Sequence, residues 1–263
     1  MGGSMTGVAL ITGGGKRLGR AMALYLAGRG LDVAVHYNGS AQGAEDVVTQ
    51  IEGMGRRAVA LQADLLSEAD TQALLPRAAQ MLGPVTCLVN NASIFEYDEI
   101  DTITRASWDR HLDSNLRAPV VLTQALAGQA PGAATDAHGE PQAQALVVNM
   151  VDQRVRKLTP AFMSYTIAKM GLWAFTQTAA QALAPRVRVN AIGPGPTLQG
   201  ARQSAEHFAR QRGATVMGRG SNPEDITAAL GYFLDAPAVT GQLLCIDGGQ
   251  HLAWQTPDVL GSE

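Results

Sequence analysis

The 263-residue chain carries 20 Lys+Arg against 23 Asp+Glu, a formal net charge of −3. Hydrophobic residues make up 46% and charged residues 16%, which supplies a sizeable core and excludes a disordered chain or a polybasic nucleic-acid surface. Glycine is in excess, 29 residues or about 11% against a usual ~7%, with neither a collagen period nor low-complexity runs.

In chain order, residues 1–4 read as an expression remnant before a native start at Met5. No charged segment with an apolar run follows, and no stretch reaches the roughly 20 apolar residues of a membrane span. Short apolar runs then recur at Val8–Ile11, 32–35, 58–61, 85–89, 145–148, 187–192 and 242–246. Apolar on both faces, they read as strands covered on both sides. Segments of helical length lie between them, at 18–29, 41–54, 67–82, 108–127, 162–183 and 223–234. This alternation requires crossovers and a parallel sheet. The expected fold is α/β: a single-domain, doubly wound Rossmann fold over residues 5–263, with a seven-stranded parallel sheet flanked by helices. Residues 128–144, rich in Ala, Gly and Pro, read as a mobile surface insertion. Residues 194–213 read as a substrate loop over the strand ends. Cys87 and Cys245 fall in strand-like runs and read as buried free thiols in a reducing cytoplasm; no metal-ligand spacing is present.

The first strand enters Thr12-Gly-Gly-Gly-Lys-Arg-Leu-Gly19 and then a helix. Such a unit aims backbone N–H groups and a helix dipole at a phosphate, so it reads as a dinucleotide turn. No Gly-Lys-Ser/Thr follows, which excludes a P-loop. NAD binders place an acid about 20 residues further on, against the ribose 2′-hydroxyl. The second strand instead ends His36-Tyr-Asn-Gly-Ser40, and Lys16 and Arg17 lie in the turn. That combination points to a 2′-phosphate and therefore NADP. Downstream, Tyr165 and Lys169 are four apart and share one helix face. A buried ammonium beside the phenol is expected to lower its pKa from about 10 and make it a usable proton donor.

With Asp64-Leu65, Asn90-Asn91-Ala92, Asn115, Pro194-Gly195 and Asp247-Gly248-Gly249 added to these motifs, nearly the whole chain resembles the short-chain dehydrogenase/reductase family. The resemblance implies that Tyr165 donates the proton. Lys169 would bind the nicotinamide ribose and tune the tyrosine, and Asn115 would hold a water in a proton relay. Asp64 would touch the adenine, Asn91 and Ala92 the adenosine ribose, and Pro194 and Gly195 the nicotinamide. It also implies a homotetramer built on helices 108–127 and 162–183, with the tail 251–263 reaching toward a neighbouring subunit.

Within that family, Lys16-Arg17-Leu18-Gly19, His36-Tyr37, Asn90 to Phe95 and the Asp152/Tyr165 spacing are similar to pteridine reductases and dihydromonapterin reductases. In that subgroup the residue at Arg17 reaches both cofactor phosphate and pterin, and Ser93 contacts the phosphate. The aromatic at Phe95 stacks the pterin against the nicotinamide. The implied cofactor surface comprises Gly13, Lys16, Arg17, Leu18, His36, Tyr37, Asn38, Ser40, Asp64, Leu65, Asn91, Ala92, Ser93, Met150, Tyr165, Lys169, Pro194, Gly195 and Thr197. The implied substrate surface comprises Arg17, Ser93, Phe95, Asp152 and Tyr165. The subgroup's basic residue near position 39 is Gly39 here.

Asp152 stands where the wider family has a serine, 13 residues before the tyrosine. A carboxylate repels a developing oxyanion but favours a nitrogen gaining a proton. The expected catalytic set is therefore Asp152, Tyr165, Lys169, Asn115 and Arg17, reducing a C=N bond of a dihydropterin with NADPH. One alternative is a carbonyl reductase of a 3-oxoacyl or sugar-like ketone. Another is a catalytically silent NADP-binding regulatory protein, against which the intact Tyr165, Lys169 and Asn115 argue.

Overall fold

A computed structural model describes residues 7–200 and 203–254. The expected start at Met5 and most of the tail, 255–263, lie outside the described residues. In chain order the elements are β1 (Val8–Ile11), α1 (Arg17–Gly28), β2 (Asp32–Tyr37), α2 (Ala41–Gly53), β3 (Ala58–Gln62), α3 (Glu68–Leu82) and β4 (Val85–Asn90). Then follow α4 (Arg105–Leu112), α5 (Ala118–Gln129), β5 (Ala134–Thr135), β6 (Pro141–Gln142), β7 (Ala145–Met150), α6 (Met163–Leu183) and β8 (Val187–Pro194). The last are α7 (Ala205–Gly213), α8 (Pro223–Asp235) and β9 (Leu243–Ile246).

Seven strands form one parallel sheet in the order β3-β2-β1-β4-β7-β8-β9. From β1 the chain winds outward through β2 and β3, then returns to β4 and winds the other way. The carboxyl ends of β1 and β4 are therefore the switch point where a ligand cleft opens. Every residue of β1 and β7 is buried, because helices cover both faces. One apolar layer joins Ile11, Leu26, Val35, Val47 and Phe233 under α1, α2 and α8. The other joins Leu10, Leu74, Leu88, Leu122 and Val147 under α3, α5 and α6. In α1 the buried Met22, Ala23, Leu26 and Ala27 recur at helical spacing, which turns one face to the sheet.

One segment departs from the sequence reading, and another holds a hairpin that the reading did not specify. The expected helix 108–127 is α4 and α5 separated by a π-helical turn, Asp113–Arg117. Pro119 explains the break: it has no N–H to offer the Asn115 carbonyl, and its ring crowds that oxygen. The ladder widens instead, with Ala118 N–H bonded to Asp113 O. Residues 128–144 contain the short antiparallel hairpin β5/β6. Its turn is organised by Asp136, whose Oδ1 accepts the N–H groups of His138 (2.8 Å) and Glu140 (2.9 Å).

Candidate active site

The cleft at the switch point has a volume of about 1340 Å³. Every residue expected at the cofactor and substrate surfaces lines it; of the full expected set, Asn115 alone does not. Its phosphate turn is tied to β4 by buried Thr12, whose Oγ1 accepts the N–H groups of Asn91 and Ala92, each at 2.9 Å. Asn91 Nδ2 donates back to Thr12 O (2.8 Å) and Gly13 O (3.2 Å), so this side chain shapes the turn. Gly13 has φ +63°. At Gly43, which sequence reading missed, a Cβ would stand 2.7 Å from Gly15 O, so α2 presses on the turn from the far side.

A dinucleotide fits this surface. α1 begins at the turn with no side-chain cap on its first N–H groups, which leaves them for an anion. Ser40 opens α2 and likewise makes no cap bond with its side chain. No acid stands at the end of β2, and nothing lies within 4 Å of a Cβ built at Gly39.

His36 is not a solvated strand-end residue. It is 1% exposed; its Nδ1 accepts Gly13 N–H at 3.0 Å and its Nε2 lies 3.1 Å from Ala63 O. The neutral ring with hydrogen on Nε2 satisfies both bonds. Burial holds its pKa below the ordinary 6.5, opposed by the bond to Ala63. A histidine depressed in the fold contributes stability that is complete above the unfolded value and declines as pH falls below it. The urea midpoint is therefore expected to drop between about pH 7 and pH 5.5, and less steeply in His36→Gln. A wild-type midpoint that stays flat over that range would contradict this.

Arg17 has φ +53°, in the left-handed region, at a cost of roughly 1–2 kcal/mol. Its guanidinium crosses the cleft mouth and donates to Leu198 O (3.2 Å) and Gln199 O (2.8 Å), so it ties down the expected substrate loop. That loop contains α7, which the sequence reading did not separate from it. Arg212 on α7 donates to the carbonyls of Pro196 (2.9 Å), Ser221 (2.6 Å) and Gly220 (3.2 Å) and closes the loop's base. Thr197 is buried there, with its hydroxyl 2.5 Å from that of Ser221.

At the cleft floor, Tyr165 O–H donates to Asp152 Oδ2 at 2.9 Å. Asp152 Oδ1 accepts Arg154 N–H at 2.8 Å, opening the short 3-10 turn Gln153–Val155. Lys169 Nζ donates to Met150 O at 2.7 Å and lies 5.7 Å from the Tyr165 ring centroid. The expected lowering of the tyrosine pKa is not present in this arrangement. Burial, then the Asp152 charge and its hydrogen bond, push Tyr165 well above 10. Burial also raises Asp152, and it pushes Lys169 down to about 8 against the pull of Asp152. The floor therefore holds its proton on the phenol, where burial and the Asp152 carboxylate both oppose a second negative charge.

Asn115 stands apart from the cleft lining. It is fully buried, and its amide is spent on Ile94: Oδ1 accepts Ile94 N–H (2.9 Å) and Nδ2 donates to Ile94 O (2.8 Å). Its side chain holds the loop that carries Phe95.

Phe95 is 44% exposed in the cleft. Its ring stacks on Phe162 (4.3 Å between centroids, 11°) and stands edge-on to Tyr165 (4.6 Å, 68°). Tyr97 meets Phe162 edge-on at 5.0 Å, and Arg154 lies 4.9 Å over the Phe162 ring. Phe162, Tyr97 and Arg154 thus extend the aromatic shelf, and none was singled out from sequence. Helix-cap logic misses Phe162 because it caps α6 in the left-handed conformation, φ +60°.

A proton-bearing Tyr/Asp floor under a dinucleotide-shaped cleft defines an oxidoreductase of the α/β class. The chain belongs to the short chain dehydrogenase family, whose model matches residues 7–209. It is similar to an uncharacterized oxidoreductase of Methylorubrum extorquens, 32% identical, covering 92% of this chain and 96% of the relative. It is similar to the 3-oxoacyl-[acyl-carrier-protein] reductase of Staphylococcus aureus, 28% identical over 94% of this chain and 99% of the relative. Among solved structures, FolM alternative dihydrofolate reductase 1 from Brucella canis, complexed with NADP, superposes with a TM-score of 0.87 at 42% identity. That superposition covers 97% of this chain and 98% of the other.

Proposed function

We propose that the protein is an NADPH-dependent reductase of a ring C=N bond in a dihydropterin or dihydrofolate-type substrate. The observation that carries this reading is Asp152 under the Tyr165 hydroxyl, where a ketone reductase needs a hydrogen-bond donor. The exposed Phe95 ring offers a flat heterocycle a stacking surface. The similarity to an NADP-complexed dihydrofolate reductase supports both cofactor and substrate class. Gly13, Lys16, Arg17 and Ser40 would hold the phosphates, and Tyr165 and Lys169 the nicotinamide ribose. Bound there, the dihydronicotinamide would supply a hydride to the ring carbon.

The chain's own residues manage the proton. Tyr165 gives its phenolic hydrogen to the ring nitrogen as the C=N bond becomes CH–NH. Asp152, raised by burial, favours the protonated nitrogen and holds it in place. Lys169 offsets the negative charge left on the phenolate. Arg17 releases the loop carbonyls to meet phosphate or pterin. Asn115 contributes through its backbone carbonyl, which Pro119 leaves without the usual helical donor. We further infer a cytoplasmic homotetramer; its support is the family resemblance and the exposed Ile167 and Met170 on α6.

NADPH oxidation measured with dihydrofolate, a dihydropterin and a 3-oxoacyl thioester tests the reading. The wild type is expected to turn over the pterins. Asp152→Ser is expected to lose about a hundredfold on pterin and to gain on the ketone. Ketone turnover without pterin turnover in the wild type favours the 3-oxoacyl reductase alternative and sinks the proposal.

A further inference from the structure

We infer that Asp98, His111 and Ser164 form a buried positioning network that sets the Phe95 shelf against the Tyr165 hydroxyl, with no chemical step of its own. The inference rests on Tyr165 being the proton donor, whichever ring it serves. The three residues are 1%, 0% and 0% exposed. They come from three elements: the loop after β4, helix α4, and the first turn of α6.

Asp98 caps α6 from outside the helix. Its carbonyl accepts the N–H groups of Phe162 (2.8 Å) and Met163 (3.3 Å), and its Oδ1 accepts Ser164 N–H (3.1 Å). Its Oδ2 accepts the Ser164 hydroxyl. The helix has no side-chain cap of its own, because Phe162 sits at that position. The backbone carbonyl survives substitution of Asp98, but loss of the carboxylate would leave the buried Ser164 N–H and hydroxyl without this partner.

His111 extends the network to the shelf. Its Nε2 accepts Glu96 N–H at 3.1 Å, so the neutral ring carries its hydrogen on Nδ1 and donates to Ser164 Oγ at 2.7 Å. The hydrogen bonds therefore run from His111 to Ser164 to Asp98. That direction is opposite to the one that activates a serine nucleophile, in which the histidine must accept the hydroxyl proton. Burial excludes a substrate from all three as well. The two ends of the network are adjacent in sequence to working residues: Glu96 follows Phe95, and Ser164 precedes Tyr165. The His111 ring also stands edge-on to Tyr165 at 6.0 Å.

Asp98→Ala, Asp98→Asn, Ser164→Ala and His111→Gln in the full chain test this, read by kcat, KM, NADPH affinity from nicotinamide fluorescence, and thermal midpoint. Ser164→Ala is expected to lower kcat by about tenfold, and Asp98→Ala by up to about a hundredfold, with NADPH affinity within about twofold of wild type. His111→Gln, which frees the shelf side, is expected to raise the pterin KM more than it lowers kcat. Asp98→Asn keeps an acceptor for Ser164 N–H and should restore most of the Asp98→Ala loss. If Asp98→Ala does not fold, Asp98→Asn and His111→Gln carry the test. Lowered midpoints with kcat and KM unchanged, or NADPH affinity falling in step with kcat, would overturn the inference. If the wild type reduces a ketone but no pterin, the substrate reading fails and the same split is measured on the ketone. If the wild type reduces both classes normally and the variants do too, the positioning inference alone fails; a wild type that reduces neither overturns both.

Discussion

Tyr165→Phe is expected to lower kcat by about 10²–10⁴-fold and NADPH affinity by no more than about tenfold, the worth of one ribose hydrogen bond. The phenol is 5% exposed and its hydroxyl points at Asp152, so the substitution removes one hydrogen-bond donor and little packing. The dinucleotide turn is untouched, since its hydrogen bonds run through Thr12, Asn91 and His36. The variant should keep a remnant rate that rises as pH falls. With the phenol gone, the protonated form of Asp152 is the neighbouring acid, and its pKa is already raised by burial. Removing a hydrogen bond that stabilised the carboxylate raises it further. Stopped-flow NADPH oxidation across pH, beside a binding titration, measures both effects. Wild-type turnover in the variant would remove Tyr165 from the chemistry.

The second large effect is at Gly19. A Cβ there would stand 2.1 Å from Gly13 O and 2.7 Å from Asn91 Nδ2. The first contact is to backbone, which cannot turn aside, so the glycine turn or the start of α1 has to move. Gly19→Ala should therefore weaken NADPH by more than about a hundredfold, as the N–H groups facing the phosphates lose their alignment. It should also cost roughly 1–3 kcal/mol of stability. Gly53→Ala is the control: nothing lies within 4 Å of its Cβ, and it should bind NADPH normally. Nicotinamide fluorescence and thermal unfolding separate the two variants. Equal affinity in both would show that the turn tolerates a methyl group.

The sheet was legible because buried parallel strands write continuous apolar runs, and all seven runs fall on sheet strands. The cleft was legible because its backbone chemistry demands glycine at fixed places and because Tyr165 and Lys169 share a helix face. What failed did so for local reasons. The break between α4 and α5 was signalled by Pro119, but the apolar period continues through it and hides it. The electrostatics of Tyr165 could not be read from spacing. Helical register places Lys169 near the ring, but the partner its ammonium takes is Met150 O, and the partner of the phenol is Asp152, 13 residues away. His36 could be read as a strand-end residue beside the turn, but its burial and the backbone bonds of both its nitrogens depend on the tertiary fold. The shelf residues Phe162 and Tyr97 and the network through Asp98 depend on contacts spanning 53 to 66 residues, which no local pattern encodes.

The strand order also governs how the chain assembles during synthesis. β1 to β4 occupy four contiguous places in the sheet, so the N-terminal half can complete its own sheet before β7 is made. Each later strand adds to the outer edge of what is already built, through β7, β8 and then β9. All pairings are parallel and non-local, the slow kind to form, but none requires an earlier pair to open. The phosphate turn, anchored by Thr12 and Asn91, belongs to the first half. Asp152, Tyr165 and Lys169 arrive with the second. The emerging polypeptide thus acquires the framework that grips a nucleotide before it acquires the hydrogen-bonded pair of Tyr165 and Asp152.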